Sequence, residues 1–107
     1  MNITANYFGN PINLGKYTTL FSNEILFFEG DINYTWIHYS MNSNKKVLAK
    51  TLSDIEDKVN ADNFVRVSRK HLVNRKFIVE VGRDFVLLSD KTVLPVSRRR
   101  RKEVNRN

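Results

Sequence analysis

The segment NFVRVSRKHLVN, residues 63–74, sets a basic triplet between two apolar stretches. Before the triplet, Val65 and Val67 alternate with polar residues, which is the period-2 pattern of a strand with one buried face. After it, the chain turns apolar again at Leu72 and Val73. The pattern predicts a strand that leads into a short basic element held between two parts of the core.

We interpret residues 69–74 as a short helical turn with Arg69 and Lys70 on its exposed side. In a purely structural interpretation, this segment is a solvated surface turn. The functional interpretation is a contact to a base edge or a phosphate, because a short element fixed by apolar neighbours loses little freedom on binding. Arg69 and Lys70 are therefore candidate binding residues.

Charge is divided unevenly along the chain, whose formal net charge is +7. Residues 1–65 hold five lysines and no arginine against seven acids, a net charge of −2. Residues 66–107 hold nine arginines and four lysines against four acids, a net charge of +9. The planar guanidinium fork suits phosphates and guanine edges. A polyanionic partner is indicated, and nucleic acid is the leading class.

The rest of the chain reads as strands with few helices. Thr51 can cap a helix over residues 51–64, with Asp54 as a capping partner. Ser97 can cap a final helix over residues 97–106. Apolar, aromatic and β-branched runs predict strands over 12–21 (broken at Gly15), 25–28 (stopped at 29–31), 33–40, 46–50, 77–81, 84–89 and 91–96. We predict one domain over residues 1–107, mainly β with short helices, of the α+β class.

Catalytic patterns are absent from the sequence. The chain has two histidines and no cysteine, and its acids have no pairing spacing. His38 and His71 are expected in packing or surface roles. We expect no enzyme activity, no cofactor and no metal. No apolar run reaches the roughly 20 residues of a membrane span and no secretory signal precedes the domain, so a cytoplasmic location is expected.

Two further segments are candidates for binding. Residues 98–102 are five consecutive cations, which would be a frayed tail in a purely structural interpretation. In a helix, at roughly 100° per residue, about two of four adjacent arginines can face one groove; Arg98 is the best fixed, and Arg101 lies near the same face. The loop over residues 29–35 is the third candidate, although a structural turn is more typical of such a loop alone.

Several segments together resemble the LytTR family of bacterial DNA-binding domains. The shared motifs, in order, are ILFFE at 25–29, NY at 33–34, TL at 51–52, F at 64, RVSRK at 66–70, LVN at 72–74 and LPVSR at 94–98. The agreement covers about residues 12–105. Ser68 and Lys70 stand where the family has His and Ser, and the run 99–101 is more basic than the family needs.

The resemblance implies a fold and a function. The fold would be an elongated β-β-β arrangement of about ten strands, and loop residues would enter successive major grooves of double-stranded DNA, at direct repeats. By position, Arg69 matches a base-contacting residue of the family, and Arg98 matches its C-terminal contact arginine. The other candidate DNA-binding residues are Lys70, Ser68, Thr35, Asn33, Tyr34, Arg99 and Arg101.

The resemblance also implies a bacterial transcription regulator of the response-regulator type. Most such domains follow a receiver domain, for which this chain is too short. It is therefore either a stand-alone regulator or an excised fragment, and Met1, which runs directly into the domain, favours the stand-alone regulator. Its partners would be promoter repeats, and further candidates are a second copy of itself on the adjacent half-site and a sensor or receiver protein. The alternative is an RNA-binding or basic protein-interaction module, in which Tyr34, Trp36 and Tyr39 stack on bases if exposed. Their alternation instead predicts that Trp36 is core.

Overall fold

A computed structural model describes residues 9–15, 18–41 and 43–105 of the chain. These residues form ten strands in three antiparallel sheets, joined by a few short helices. The predicted fold class, mainly β with about ten strands, is confirmed. No helix within the described ranges is long and apolar enough to cross a membrane.

The elements follow one another closely along the chain. The strands are β1 (Pro11–Gly15), β2 (Thr18–Phe21), β3 (Ile25–Asp31), β4 (Tyr34–Tyr39), β5 (Lys45–Leu48), β6 (Phe64–Arg66), β7 (His71–Asn74), β8 (Ile78–Val81), β9 (Phe85–Leu88) and β10 (Val93–Pro95). The α-helices are α1 (Leu52–Glu56) and α2 (Arg101–Val104), and short 3-10 turns span Ser22–Glu24, Arg75–Phe77 and Arg98–Arg100.

A five-stranded sheet, in the order β5-β4-β3-β7-β6, forms the middle layer. Its central strand β3 is buried on both faces, as its continuous apolar run requires. The pairing with β4 shifts register between Ile25 and Phe27. Ile25 and Phe28 consequently pack on one face of the sheet, while Leu26 and Phe27 pack on the other.

Each face of the middle sheet is covered by a separate layer. The β1–β2 hairpin and α1 cover the face of Ile25 and Phe28, contributing Ile12, Leu14, Leu20, Leu52 and Ile55 to that core. The β10-β9-β8 sheet and α2 cover the opposite face, contributing Val86, Leu88, Leu94 and Val104. The three sheets thus stack as β-β-β layers around two cores.

Helix α1 begins as predicted but is much shorter. The Oγ1 of Thr51 accepts a hydrogen bond from the backbone N–H of Asp54 at 3.1 Å, and Leu52 and Ile55 are buried. The helix ends at Glu56. After it, the side chain of Asn60 accepts from the N–H of Asp62 at 2.8 Å, and such local bonds compete with the helix. The prediction of a helix through residue 64 is wrong.

The interpretation of residues 69–74 as a helical turn is also wrong. His71–Asn74 is strand β7, which pairs with β3 and β6. Leu72 packs into one core and Val73 into the other, so β7 is buried on both faces. A short apolar run of this kind does not distinguish strand from helix. Residues 68–70 are therefore the turn of a β-hairpin.

The remaining strand predictions agree with the structure in outline. The predicted strand over 12–21 is the β1–β2 hairpin, whose residues 16 and 17 lie outside the described part of the chain. Strand β3 does not stop at residue 29 but continues to Asp31. Ser97 makes no side-chain cap, and a 3-10 turn precedes α2; Arg106, the last residue of the predicted helix, is outside the described residues.

Trp36 was predicted to be core and is instead half-buried on the side of β4 opposite Thr35 and Ile37. Those two neighbours are the fully buried residues of the strand. The Nζ of Lys45 lies 5.6 Å from the Trp36 ring centroid, which places a cation over the indole. The predicted alternation of β4 is correct, but Thr35 and Ile37 face the core instead of Trp36.

A buried amide fastens the end of β7 to the start of β3. The Nδ2 of Asn74 donates to the backbone oxygens of Ser22 and Ile25, both at 2.9 Å, and its Oδ1 accepts from the N–H of Lys76 at 3.0 Å. Asn74 is 2% exposed. Because water cannot replace these bonds without opening the core, the side chain is a structural requirement.

Replacing Asn74 with alanine should lower the free energy of unfolding by about 2–3 kcal/mol, since buried carbonyls lose their donor. Urea denaturation measures the change. Asn60→Ala, which removes an exposed side-chain hydrogen bond within a turn, is the control and should cost about 0.5 kcal/mol or less. Equal losses for the two variants would contradict the structural role of Asn74.

Candidate nucleic-acid interface

The β6–β7 hairpin turn, residues 68–70, is exposed at Arg69 and Lys70 but has a fixed backbone. The N–H of Gly30 on β3 donates to the carbonyl of Lys70 at 2.8 Å. The N–H of Ser97, which precedes the arginine run, donates to the carbonyl of Val67 at 2.8 Å. These two bonds bring the three segments predicted from the sequence together at one edge of the middle sheet.

Arg66 holds the turn from inside. Its Nε donates to the carbonyl of Ser68 and its Nη2 to the carbonyl of Arg69, both at 2.7 Å. Its Nη1 donates to Oε1 of Glu56 at the end of α1, at 2.6 Å. The guanidinium fork thus spans two backbone carbonyls and one carboxylate, an arrangement that an ammonium cannot reproduce.

Glu56 connects the turn to the C-terminal arginines as well. Its second oxygen, Oε2, lies 4.0 Å from Nη1 of Arg100. One carboxylate on α1 is therefore shared by Arg66 on β6 and Arg100 in the C-terminal segment. The side chain of Arg66 is 10% exposed, so its charge is committed to holding the site together. Arg100, whose side chain is 32% exposed, makes the longer contact.

Ser68 is half-buried and acts within the turn. Its Oγ accepts from the N–H of Lys70 at 3.2 Å and lies 3.2 Å from Nδ1 of His71. Such local hydroxyl bonds are typical of turns. Ser68 thus stabilises the turn, whereas the side chains of Arg69 and Lys70 are exposed.

The four C-terminal arginines fall into two pairs. Arg98 and Arg99 are exposed, whereas Arg100 and Arg101 are half-buried. The Nε of Arg101 is buried and has no hydrogen-bond partner within the described part of the chain. The boundary between the two pairs falls within the 3-10 turn, one residue before α2 begins.

The β3–β4 hairpin supplies the third segment. Ile32 and Asn33 form its turn between the paired residues Asp31 and Tyr34. Asn33 is exposed, and Tyr34 is 52% exposed. Both predicted residues are accessible to a ligand at this tip.

Thr35 differs from its neighbours because it is fully buried. Its Oγ1 donates to the carbonyl of Lys50 at 2.8 Å, which ties β4 to the segment before α1. Its side chain is not available to a ligand in this structure, so Thr35 is not among the residues that we propose to contact DNA.

An open groove of about 660 Å3 lies between the β3–β4 hairpin, the start of α1 and the β6–β7 turn. The residues lining it are Gly30, Asp31, Ile32, Thr51, Leu52, Ser53, Arg66, Arg69 and Lys70. Its walls combine an apolar tip, the carboxylate of Asp31, hydroxyl groups and guanidinium and ammonium groups. Such a surface can donate hydrogen bonds to phosphate and base-edge acceptors.

Behind the turn, Glu29 lies between two histidines. Its Oε1 is 2.9 Å from Nε2 of His38, and its Oε2 is 4.0 Å from Nε2 of His71. The ring of Phe27 stacks on His38 with centroids 4.1 Å apart. Both predicted packing roles for the histidines agree with this arrangement, although His71 lies in a strand rather than in a helical turn.

The environment shifts two of these groups. Burial raises the pKa of Glu29, but the hydrogen bond from His38 and the charges of His38, His71 and Lys70 outweigh it and bring that pKa below its ordinary value of 4.5. Burial lowers the pKa of His71 below 6.5, against the opposing charge of Glu29. No cluster of three metal-ligating side chains occurs within residues 9–15, 18–41 and 43–105.

The comparisons with known proteins agree on one family. A family model described as the LytTr DNA-binding domain matches residues 15–107. The chain also resembles the solved LytTr DNA-binding domain of a protein from Bacillus cereus named as a methyl-accepting/DNA response regulator, with a TM-score of 0.72 and 16% identity. That match covers 91% of this chain and 96% of the other, and shows a shared fold. No curated protein sequence matches the chain.

Replacing Arg66 with lysine should loosen the β6–β7 turn, because one ammonium cannot serve both carbonyls and Glu56. We expect a loss of about 1–2 kcal/mol in the free energy of unfolding. Amide hydrogen exchange at Gly30, whose N–H bonds to Lys70, should also become faster. Arg83→Lys, at an exposed position of the β8–β9 turn, is the matched control; unchanged exchange at Gly30 in Arg66→Lys would contradict the brace.

Acidification should destabilise the protein in two steps. The folded state holds His71 and Glu29 with lowered pKa values, so the unfolded chain takes up protons first. The free energy of unfolding should fall as the pH drops through 6.5, where unfolded His71 is protonated, and again below 4.5 as Glu29 titrates. Denaturant titrations over this range measure both steps. His71→Gln should abolish the upper step, and an unchanged pH profile in that variant would rule out His71 as its source.

Proposed function

The chain belongs to the LytTR family of DNA-binding domains, and on that premise we propose that it recognises specific sequences in double-stranded DNA as part of a transcription regulator. LytTR domains bind DNA. In our proposal, the β3–β4 hairpin, the β6–β7 turn and the C-terminal arginines enter successive major grooves. The observation that carries the proposal is the exposed Arg69 on a turn whose backbone is fixed by Arg66, Gly30 and Ser97.

Arg69 and Arg98 are the residues that we assign to base edges. Each is exposed and lies beside a hydrogen bond that ties its segment to the middle sheet. A fixed backbone reduces the freedom that a long side chain loses on binding. Arginine can then donate two hydrogen bonds to O6 and N7 of guanine, the commonest specific contact in the major groove.

The remaining exposed residues suit contacts that position the domain. Lys70 and Arg99 would contact phosphates, and Asn33 and Tyr34 would contact the backbone or base edges from the hairpin tip. Ser68 would act by shaping the turn, since its Oγ is occupied within it. Arg101, which is half-buried, would reach a phosphate only with its guanidinium tip.

One domain of this size should bind modestly, because a single module buries about 600–1,000 Å2 of protein surface. Binding of two copies to direct repeats would add avidity without new contacts within each copy. A sensor or receiver protein that pairs two copies would then control occupancy of the promoter. Selection of bound sequences from random duplex DNA tests both sequence preference and half-site spacing.

The RNA-binding alternative has one observation in its favour. Tyr34 is exposed and Trp36 half-buried on the same side of β4, and exposed aromatic side chains can stack on unpaired bases. Competition of single-stranded RNA against the selected duplex separates the two functions. Tighter binding of the RNA would favour the alternative and overturn the duplex assignment.

Replacing Arg69 with alanine should weaken binding to the selected duplex by about 1–3 kcal/mol and relax base preference at one position, because a base-edge contact is lost. Arg99→Ala should weaken all duplexes alike and reduce the salt slope by about one. Fluorescence anisotropy at several salt concentrations measures both effects. Arg83→Ala is the control for loss of one exposed arginine. Equal losses on selected and random duplexes for Arg69→Ala would refute its base-reading role.

A further inference from the structure

Ile32, at the tip of the β3–β4 hairpin, has an unfavourable conformation for its residue type. It is the first residue of the two-residue turn and has a φ of +54°. Positive φ is a genuine outlier for a β-branched residue, because its Cβ crowds the backbone. Glycine usually takes such positions in hairpin turns. The turn itself therefore gives no reason for an isoleucine.

The side chain of Ile32 is also 87% exposed, the most of any large apolar residue in the described ranges. It therefore gains almost nothing from burial in the core that would offset its backbone strain. Isolated exposed apolar residues are normal on surfaces, but residues held in unfavourable backbone conformations cluster at functional sites. Both features indicate a partner that covers Ile32.

The position of Ile32 indicates which partner this is. The hairpin is tied to the β6–β7 turn by the bond from Gly30 to Lys70. Ile32, Arg69 and Lys70 consequently line the same groove. Whatever ligand Arg69 contacts will lie beside Ile32.

We propose that Ile32 contacts the C5-methyl group of a thymine close to the base edge read by Arg69, and so contributes to sequence preference. This inference rests on the proposed function. An isoleucine side chain forms no hydrogen bonds, so it can distinguish base edges only by apolar contact. The thymine methyl is the apolar group that the four bases present in the major groove.

The test combines a change in the protein with a change in the DNA. Ile32→Gly removes the apolar tip and relieves the backbone strain. In the duplex recovered by selection, each thymine in turn is replaced by deoxyuridine, which removes only the methyl group. Lys91, in the β9–β10 turn, also has a positive φ, +76°, and Lys91→Gly is the matched control because it relieves strain outside the groove.

We expect the wild-type chain to bind about fourfold more weakly when deoxyuridine replaces the contacted thymine, the loss corresponding to about one buried methyl group. Ile32→Gly should bind the thymine duplex more weakly than wild type and show no further loss with deoxyuridine. Lys91→Gly should keep the wild-type response. Both glycine variants should melt at a higher temperature than wild type, so that for Ile32→Gly stability and affinity change in opposite directions.

Two results would overturn the inference while leaving the proposed function standing. One is a wild-type chain that binds the selected duplex selectively but responds to no deoxyuridine. The other is an Ile32→Gly variant with the same deoxyuridine response as wild type. A wild-type chain with no preference among duplexes would overturn both the inference and the proposed function.

Discussion

The burial of β3 on both faces is the constraint on which the rest of the structure depends. Four successive apolar residues, Ile25 to Phe28, serve two cores, and the register shift within the strand allows adjacent side chains to be divided between them. Both layers that flank the middle sheet are required because β3 exposes apolar surface on each side. At Glu29 the strand leaves the cores, and its polar end continues as the hairpin that reaches the candidate interface.

The position of the candidate interface is consequently set by the ends of neighbouring strands. Strands β3, β6 and β7 are neighbours in the middle sheet, so the turn after β3 and the turn before β7 lie side by side. The C-terminal arginines join them through the bond between Ser97 and Val67. Glu56 then holds two arginines from different elements. Binding would therefore require little ordering of the backbone, which lowers the entropic cost of recognition.

The features that depend on local periodicity and charge could be predicted from the sequence. The apolar run of β3, the cap at Thr51 and the exposed Arg69 followed from local pattern. What it missed depends on partners distant in the chain. The strand β7 could not be distinguished from a helical turn until β3 and β6 were placed beside it. The burial of Thr35 depends on Lys50, fifteen residues away.

Arg66 was missed for a related reason. Its position in the alternating pattern marks it as the polar side of a strand, which is correct. Its role depends on the direction of carbonyl groups two and three residues ahead, and these follow from the hairpin geometry. The sequence signal for this role was an arginine two residues before the basic turn at residues 68–70. An arginine that stabilises the turn and an arginine that contacts a ligand carry the same charge, so composition alone does not distinguish them.

The hydrogen bonds at the β6–β7 turn also give it a chemical polarity. The carbonyl groups of residues 67 to 70 each accept a bond from within the protein: from Ser97, from Arg66 twice, and from Gly30. Because these carbonyl oxygens accept hydrogen bonds from within the protein, the polar groups that the turn exposes are mainly the donors of Arg69 and Lys70. In the DNA complex that we propose, its complement would be a surface of acceptors, and guanine, which presents two in the major groove, would fit the turn better than cytosine, which presents an amino donor there.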